Sequence, residues 1–172
     1  MKLKYKITFT VTVILAITSW VIAIYYWDKL PSVIPTHFGI SGQADGWADK
    51  SIFQVYLIPF LQSLISGLFV FVYYKPQYSN MPTTMWLKTL DKRHKDRAYD
   101  LIRTTMAGVS IIVGFLFTYL TYGMNLAAIN KGLGLSSEIM FSIIGIMIAW
   151  LVFWTIKSYR VTKKTVDSQS EK

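Results

Sequence analysis

The chain contains no cysteine and has few charged side chains for its length. The absence of cysteine among its 172 residues excludes disulfides, thiol nucleophiles and cysteine-ligated metal sites. Charged residues make up 16% of the chain and hydrophobic residues 53%, whereas soluble domains usually have about a quarter of their residues charged. The composition is therefore that of an integral membrane protein.

Recognisable catalytic signatures are also missing. The sequence has no nucleophile elbow, phosphate-binding glycine loop or zinc-protease helix pattern. Its long apolar runs carry no ionisable side chain at their centres, whereas proton and ion pathways usually place such residues at membrane depth. The sequence favours a non-enzymatic protein that uses no cofactor and is not a pump.

Four apolar runs are long enough to span a bilayer, which takes about 20 residues each. They cover residues 7–26, 52–74, 104–122 and 139–156. Ser51 and Gln54 match a helix-capping box at the start of the second run, and Gln54 and Gln62 are amides that can bond neighbouring helices. We predict an all-α, multi-pass protein of the cell membrane, with residues 1–172 forming one domain in the lipid bilayer.

Basic residues are distributed very unevenly among the connecting segments. The two termini and residues 75–103 hold 15 of the 18 lysines and arginines. By the positive-inside rule, both termini face the cytoplasm and the loop at 27–50 faces outward. The net charge of +9 thus indicates topology and not nucleic-acid binding. The polar tail from about residue 163 is expected to be disordered.

The cytoplasmic segment 75–103 has an apolar pattern after Pro82 that is typical of a helix. Its apolar residues recur at roughly helical spacing; they are Trp86, Leu87, Leu90, Ala98, Leu101 and Ile102. We predict a basic amphipathic surface helix that leads directly into the third span.

The outer loop at 27–50 has a density of special residues that a passive connector would not need. Its prolines favour extended backbone from Leu30 to Phe38, and the glycines that follow are turn signals. A hairpin or a compact loop fits this pattern, with Phe38 and Trp47 as its apolar contacts. The candidate site residues are Pro31, Pro35, His37, Phe38, Gly42, Asp45, Gly46, Trp47 and Lys50.

The polar residues of this loop admit both structural and functional interpretations. His37 can hold the turn by hydrogen bonds, titrate near neutral pH or ligate a metal. A metal site needs three or four ligands, so we predict none; His37, Asp45 and Asp49 are the candidates if a metal is bound. Asp45 and Lys50 can form an ion pair or a polar patch for a ligand. We expect His37 and Asp45 to be mainly structural and Lys50 to act mainly in function.

These loop residues carry a resemblance to a known family. The pattern begins with Leu30-Pro31 and Ile34-Pro35 and continues through His37-Phe38, Gly42, Asp45-Gly46-Trp47 and Lys50. It resembles a bacterial membrane domain of unknown function that also forms part of the Sdp immunity proteins, which protect Bacillus-type cells from a secreted killing peptide. The resemblance covers the first span, the loop and the start of the second span. It implies the domain and, by extension, a role in immunity.

Three functional hypotheses follow. The first is immunity or envelope-stress sensing, in which the outer loop recognises an extracellular peptide, an envelope component or a membrane-protein partner. The second is a metal-assisted membrane enzyme at the outer face, with His37 and the loop acids as its site. The third is an accessory subunit of a membrane complex.

Overall fold

The computed structural model describes residues 2–79, 92–130 and 134–170. Over these ranges the chain forms long helices and one pair of strands. In chain order the elements are α1 (Leu3–Trp27), β1 (Val33–Phe38), β2 (Ala44–Asp49), α2 (Ile52–Tyr74), a 3₁₀ turn (Pro76–Tyr78), α3 (Lys92–Ile129) and α4 (Ser137–Ser170).

Within the described residues, four helices are long and apolar enough to cross a membrane. The helix α2 occupies the predicted range, and Ser51 caps it by accepting a hydrogen bond from the Gln54 backbone N–H at 3.2 Å. The helix α1 starts at Leu3, earlier than the predicted residue 7, since lysine is a good helix former and does not stop the helix. The described part of the chain is thus mostly helical, and the all-α prediction omits the two strands found there.

The helix α3 is longer than the third predicted span. Its first residues belong to the predicted amphipathic helix, which runs into the span without a break; Trp86, Leu87 and Leu90 of that prediction lie outside the described residues. At its other end, α3 continues past residue 122 to Ile129. The Asn125 side chain donates to the Thr121 carbonyl at 2.6 Å, so this amide is satisfied inside the helix and does not end it.

The tail beyond residue 163 is helical where the sequence predicted disorder. The helix α4 runs to Ser170, and two contacts explain its extension. The Thr165 hydroxyl donates to the Val161 carbonyl at 2.9 Å, and Val166 packs against the buried Ala98 of α3. This part of the chain therefore has a packing partner that its polar composition does not indicate.

The helix α3 is the centre of the bundle, since it packs against each of the other three helices. Gln62 of α2 is fully buried where α1, α2 and α3 meet. Its amide nitrogen donates to the Gly114 carbonyl at 3.1 Å and to the Thr118 hydroxyl at 3.2 Å, while its oxygen accepts from Ser19. The expectation that Gln62 bonds neighbouring helices is confirmed.

Candidate functional site

The loop between α1 and α2 forms an antiparallel hairpin. Val33 pairs with Asp49 and Pro35 with Trp47, and the register shifts between Pro35 and Phe38. Proline restricts the residue before it to extended backbone, so Pro31 and Pro35 favour a strand over a helix here. Of the two forms that the sequence left open, the structure has the hairpin. We call the end of the bundle that carries it the hairpin end, and the opposite end, where α1 begins, the terminal end.

The tip of the hairpin lies against the segment that precedes α4. Gly42 has φ of 77°, and its carbonyl accepts the Leu135 backbone N–H at 2.8 Å. The Ser137 hydroxyl donates to the Ile40 carbonyl at 2.8 Å. A Cβ on Gly42 would lie 1.8 Å from the Leu135 carbonyl oxygen, so only glycine allows this close approach.

The base of the hairpin is fixed by Lys50, which follows β2. Its ammonium group donates to the carbonyls of Trp27 and Leu30, each at 3.3 Å, and lies 5.1 Å from the Trp27 ring centroid. Carbonyls at the end of a helix lack partners within the helix. Lys50 supplies a donor to the carbonyl of Trp27, the last residue of α1, and to that of Leu30 just beyond it. It thus joins the residues before β1 to the residue after β2.

The buried side of the hairpin consists of aliphatic residues. Leu30 and Ile34 are buried with Ala23, Val55 and Ala128 in one apolar cluster. Phe38 is half-buried, whereas Trp47 is 46% exposed. The prediction that Trp47 is an apolar contact of the loop is therefore not supported. Leu30 and Ile34 begin the family pattern, but they were not predicted from the sequence to be the buried apolar contacts of the loop.

A small cavity lies beneath the hairpin, between α2 and α3. Its volume is about 20 Å³, and its lining includes Pro35, Gln54 and Asn125. A space of this size holds about one water molecule. Gln54 thus lines a mostly apolar cavity, together with Asn125 of α3.

The opposite side of the hairpin is polar and open. His37 Nδ1 and Asp45 Oδ1 form a hydrogen bond, and the two side chains are 73% and 53% exposed. Gly46 leaves room for His37, because a Cβ there would lie 2.8 Å from the His37 Cβ. Asp45 therefore has His37 as its partner, while Lys50 bonds backbone carbonyls, and the two do not form the ion pair that the sequence allowed.

Alternation along β2 adds two more exposed side chains. Asp45, Trp47 and Asp49 are exposed, while the residues between them are half-buried. Alternate residues of a strand lie on one side of the sheet. We call His37, Asp45, Trp47 and Asp49 the exposed face; it holds one aromatic ring, two carboxylates and an imidazole.

The candidate metal ligands come together only in part. His37 and Asp45 are in contact, whereas Asp49 lies four strand residues from Asp45, about 13 Å at the usual rise per residue. Among the described residues, no group of three or more His, Cys, Asp or Glu side chains is close enough to hold a metal ion. The side chains of the exposed face are hydrogen-bonding and charged groups that are open to solvent.

Together, the spans and the hairpin define a multi-pass, mostly helical protein with an ordered hairpin between its first two spans. Residues 14–62 match the model of a domain of unknown function, DUF1648. The match takes in half of α1, the whole hairpin and the first half of α2. It agrees with the resemblance to a membrane domain of unknown function, and its description names no activity. No curated protein and no solved structure matches the chain.

Proposed function

We propose that this protein recognises a peptide or an envelope component outside the cell through the exposed face, as immunity or envelope-stress sensing requires. The observation that carries the proposal is an open set of polar and aromatic side chains on a hairpin fixed at its tip and base. Fixing both ends limits the motion of the hairpin, so binding costs less conformational entropy. Recognition, and not catalysis, is the activity that this arrangement supports best.

The chemistry of the exposed face points to a basic and partly apolar ligand. Asp45 and Asp49 can pair with lysine or arginine side chains, and complementary charge favours association and specificity. The Trp47 ring offers apolar contact and a face for a cation. A cationic amphipathic peptide, the common chemistry of membrane-active toxins, combines these features.

A killing assay tests the proposal. Cells that express the protein should survive a panel of cationic membrane-active peptides better than cells without it, and Asp45→Asn with Trp47→Ala should remove the protection. Asp28→Asn is the matched control, because Asp28 is an exposed acid at the hairpin end but outside the hairpin. Equal sensitivity of all strains to every peptide would contradict the proposal.

The proposal requires the hairpin end to face outward, and the native chain's lack of cysteine makes this testable. Ser41 and Gln77 are both exposed and lie at opposite ends of the bundle. Ser41→Cys should react with a membrane-impermeant maleimide in intact cells, and Gln77→Cys only after permeabilisation. The reverse labelling pattern would place the hairpin in the cytoplasm and rule out an extracellular ligand.

A further inference from the structure

A groove at the terminal end of the bundle has a basic rim and an apolar floor. It lies between α1, α3 and α4 and has a volume of about 160 Å³. The residues that line it are Lys4, Tyr5, Thr8, Thr104, Ala107, Gly108, Ile111 and Trp150.

The rim carries more positive than negative charge. The ammonium of Lys2 donates to Asp100 Oδ1 at 2.8 Å, and that of Lys4 donates to Asp100 Oδ2 at 3.3 Å and to the Thr104 hydroxyl at 3.2 Å. Two cations thus share one carboxylate, and the two lysine side chains are 63% and 51% exposed. Each ammonium has three N–H donors, so the rim can still bind an anion.

The floor is apolar and narrow. Trp150 of α4 donates its indole N–H to the Thr105 carbonyl at 3.1 Å, and its ring lies where a Cβ on Gly108 would be, 2.1 Å away. From Thr104 to Ile111 the floor extends about 10 Å along α3, at 1.5 Å per residue. The volume spread over this length leaves a width of a few ångströms. An acyl chain fits such a space, whereas a helix of about 10 Å diameter does not.

We propose that this groove binds an anionic phospholipid, with the headgroup phosphate at Lys2 and Lys4 and one acyl chain along Ala107, Ile111 and Trp150. Charge complementarity sets this groove apart from a larger one of about 360 Å³ between α1 and α2, whose lining includes Thr12, Trp20 and Ser63 and no charged side chain. Both grooves lie between helices long and apolar enough to cross a membrane, but only the first should distinguish anionic from zwitterionic lipids.

Tryptophan quenching measures this difference within one protein. Two chains are prepared in which only Trp150 or only Trp20 is kept and the other tryptophans are replaced by phenylalanine. Each is reconstituted in vesicles that mix phosphatidylcholine and phosphatidylglycerol, with bromine on the acyl chains of one lipid at a time. Lys2 and Lys4 share Asp100, so the rim has a net charge of one. At roughly 1 kcal/mol per basic charge near the surface, Trp150 should show about a fivefold preference for phosphatidylglycerol. Trp20 should show no preference between the two lipids.

Charge variants of the Trp150 chain test the role of the rim. Lys2→Gln with Lys4→Gln should bring the preference close to one, and Lys4→Arg should retain it. Lys6→Gln, which removes the same charge from an exposed residue of α1 outside the groove lining, should leave it unchanged. Equal quenching of Trp150 by the two lipids, an equal preference at Trp20, or a preference that survives loss of both rim lysines would overturn the proposal.

Discussion

Lys50 and the His37–Asp45 pair belong to the same connection between α1 and α2 but lie in different surroundings. Lys50 is half-buried and donates to two backbone carbonyls near the end of α1. His37 and Asp45 bond each other in the open, on the side away from the bundle. Removing a group that satisfies partly buried partners costs more than removing an exposed pair. If the proposed function holds, stability and recognition depend on different residues of the connection between α1 and α2.

The largest loss of stability should come from Gly42→Ala at the tip of the hairpin. This change should detach the tip from the segment that precedes α4. The left-handed backbone at Gly42 costs a residue with a Cβ about 1–2 kcal/mol, and the Leu135 carbonyl must also move away. We expect a loss of at least about 2 kcal/mol, measured by thermal unfolding in detergent. Gly145→Ala is the matched control, since a Cβ there meets nothing within 4 Å. Equal melting of the two variants would contradict the docking of the tip.

The second-largest loss of stability should come from the base of the hairpin. Lys50→Met keeps most of the unbranched side chain but leaves the Trp27 and Leu30 carbonyls without this donor, which should cost about 1–3 kcal/mol. Lys29→Met removes the same charge at the same end of the bundle, from an exposed residue whose ammonium lies over the Tyr25 ring. If Lys50→Met melts at the same temperature as Lys29→Met, Lys50 contributes no more to stability than an exposed lysine does, and the contrast with the exposed face is lost.

The smallest effect on stability should come from the exposed face. His37→Ala, Asp45→Asn and the double variant complete a double-mutant cycle, in which we expect a coupling of about 0–1 kcal/mol, as for exposed ion pairs. The same variants should reduce survival in the killing assay. A coupling well above this range, with survival unchanged, would mean that the pair fixes the hairpin and does not face a ligand.

These expectations reverse those drawn from the sequence alone, and the reason is physical. The sequence shows that Lys50 is at the interface, where a lysine can extend to water without a partner. It does not show that the chain turns back to place carbonyls 20 and 23 residues earlier beside that ammonium. Hydrogen bonds to backbone carbonyls place no demand on the partner's side chain, so no pattern in the sequence reveals them.

Features that depend on local sequence could be predicted. The length and apolarity of the runs indicate the spans, Ser51 indicates the start of α2, and a buried amide in a span indicates a partner on another helix, as Gln62 shows. The docking of the tip could not be predicted in this way, because Gly42 and Leu135 are far apart in the chain and meet through backbone atoms. Gly134 is a local feature of this contact, since a Cβ there would lie 2.3 Å from the Gly42 carbonyl oxygen.

The contact between Gly42 and Leu135 also limits how far the matched domain can act as a portable module. Residues 14–62 include the hairpin and Gln62. Leu135, which the hairpin tip contacts, lies beyond the match, as do Gly114 and Thr118, which accept from the Gln62 amide. A fragment cut at this boundary would expose a glycine turn and a buried amide without their partners. Grafted alone onto another membrane protein, it should fold poorly. Co-expressed with a fragment that begins at residue 92, it should recover the hairpin, because the missing surfaces return as a second chain.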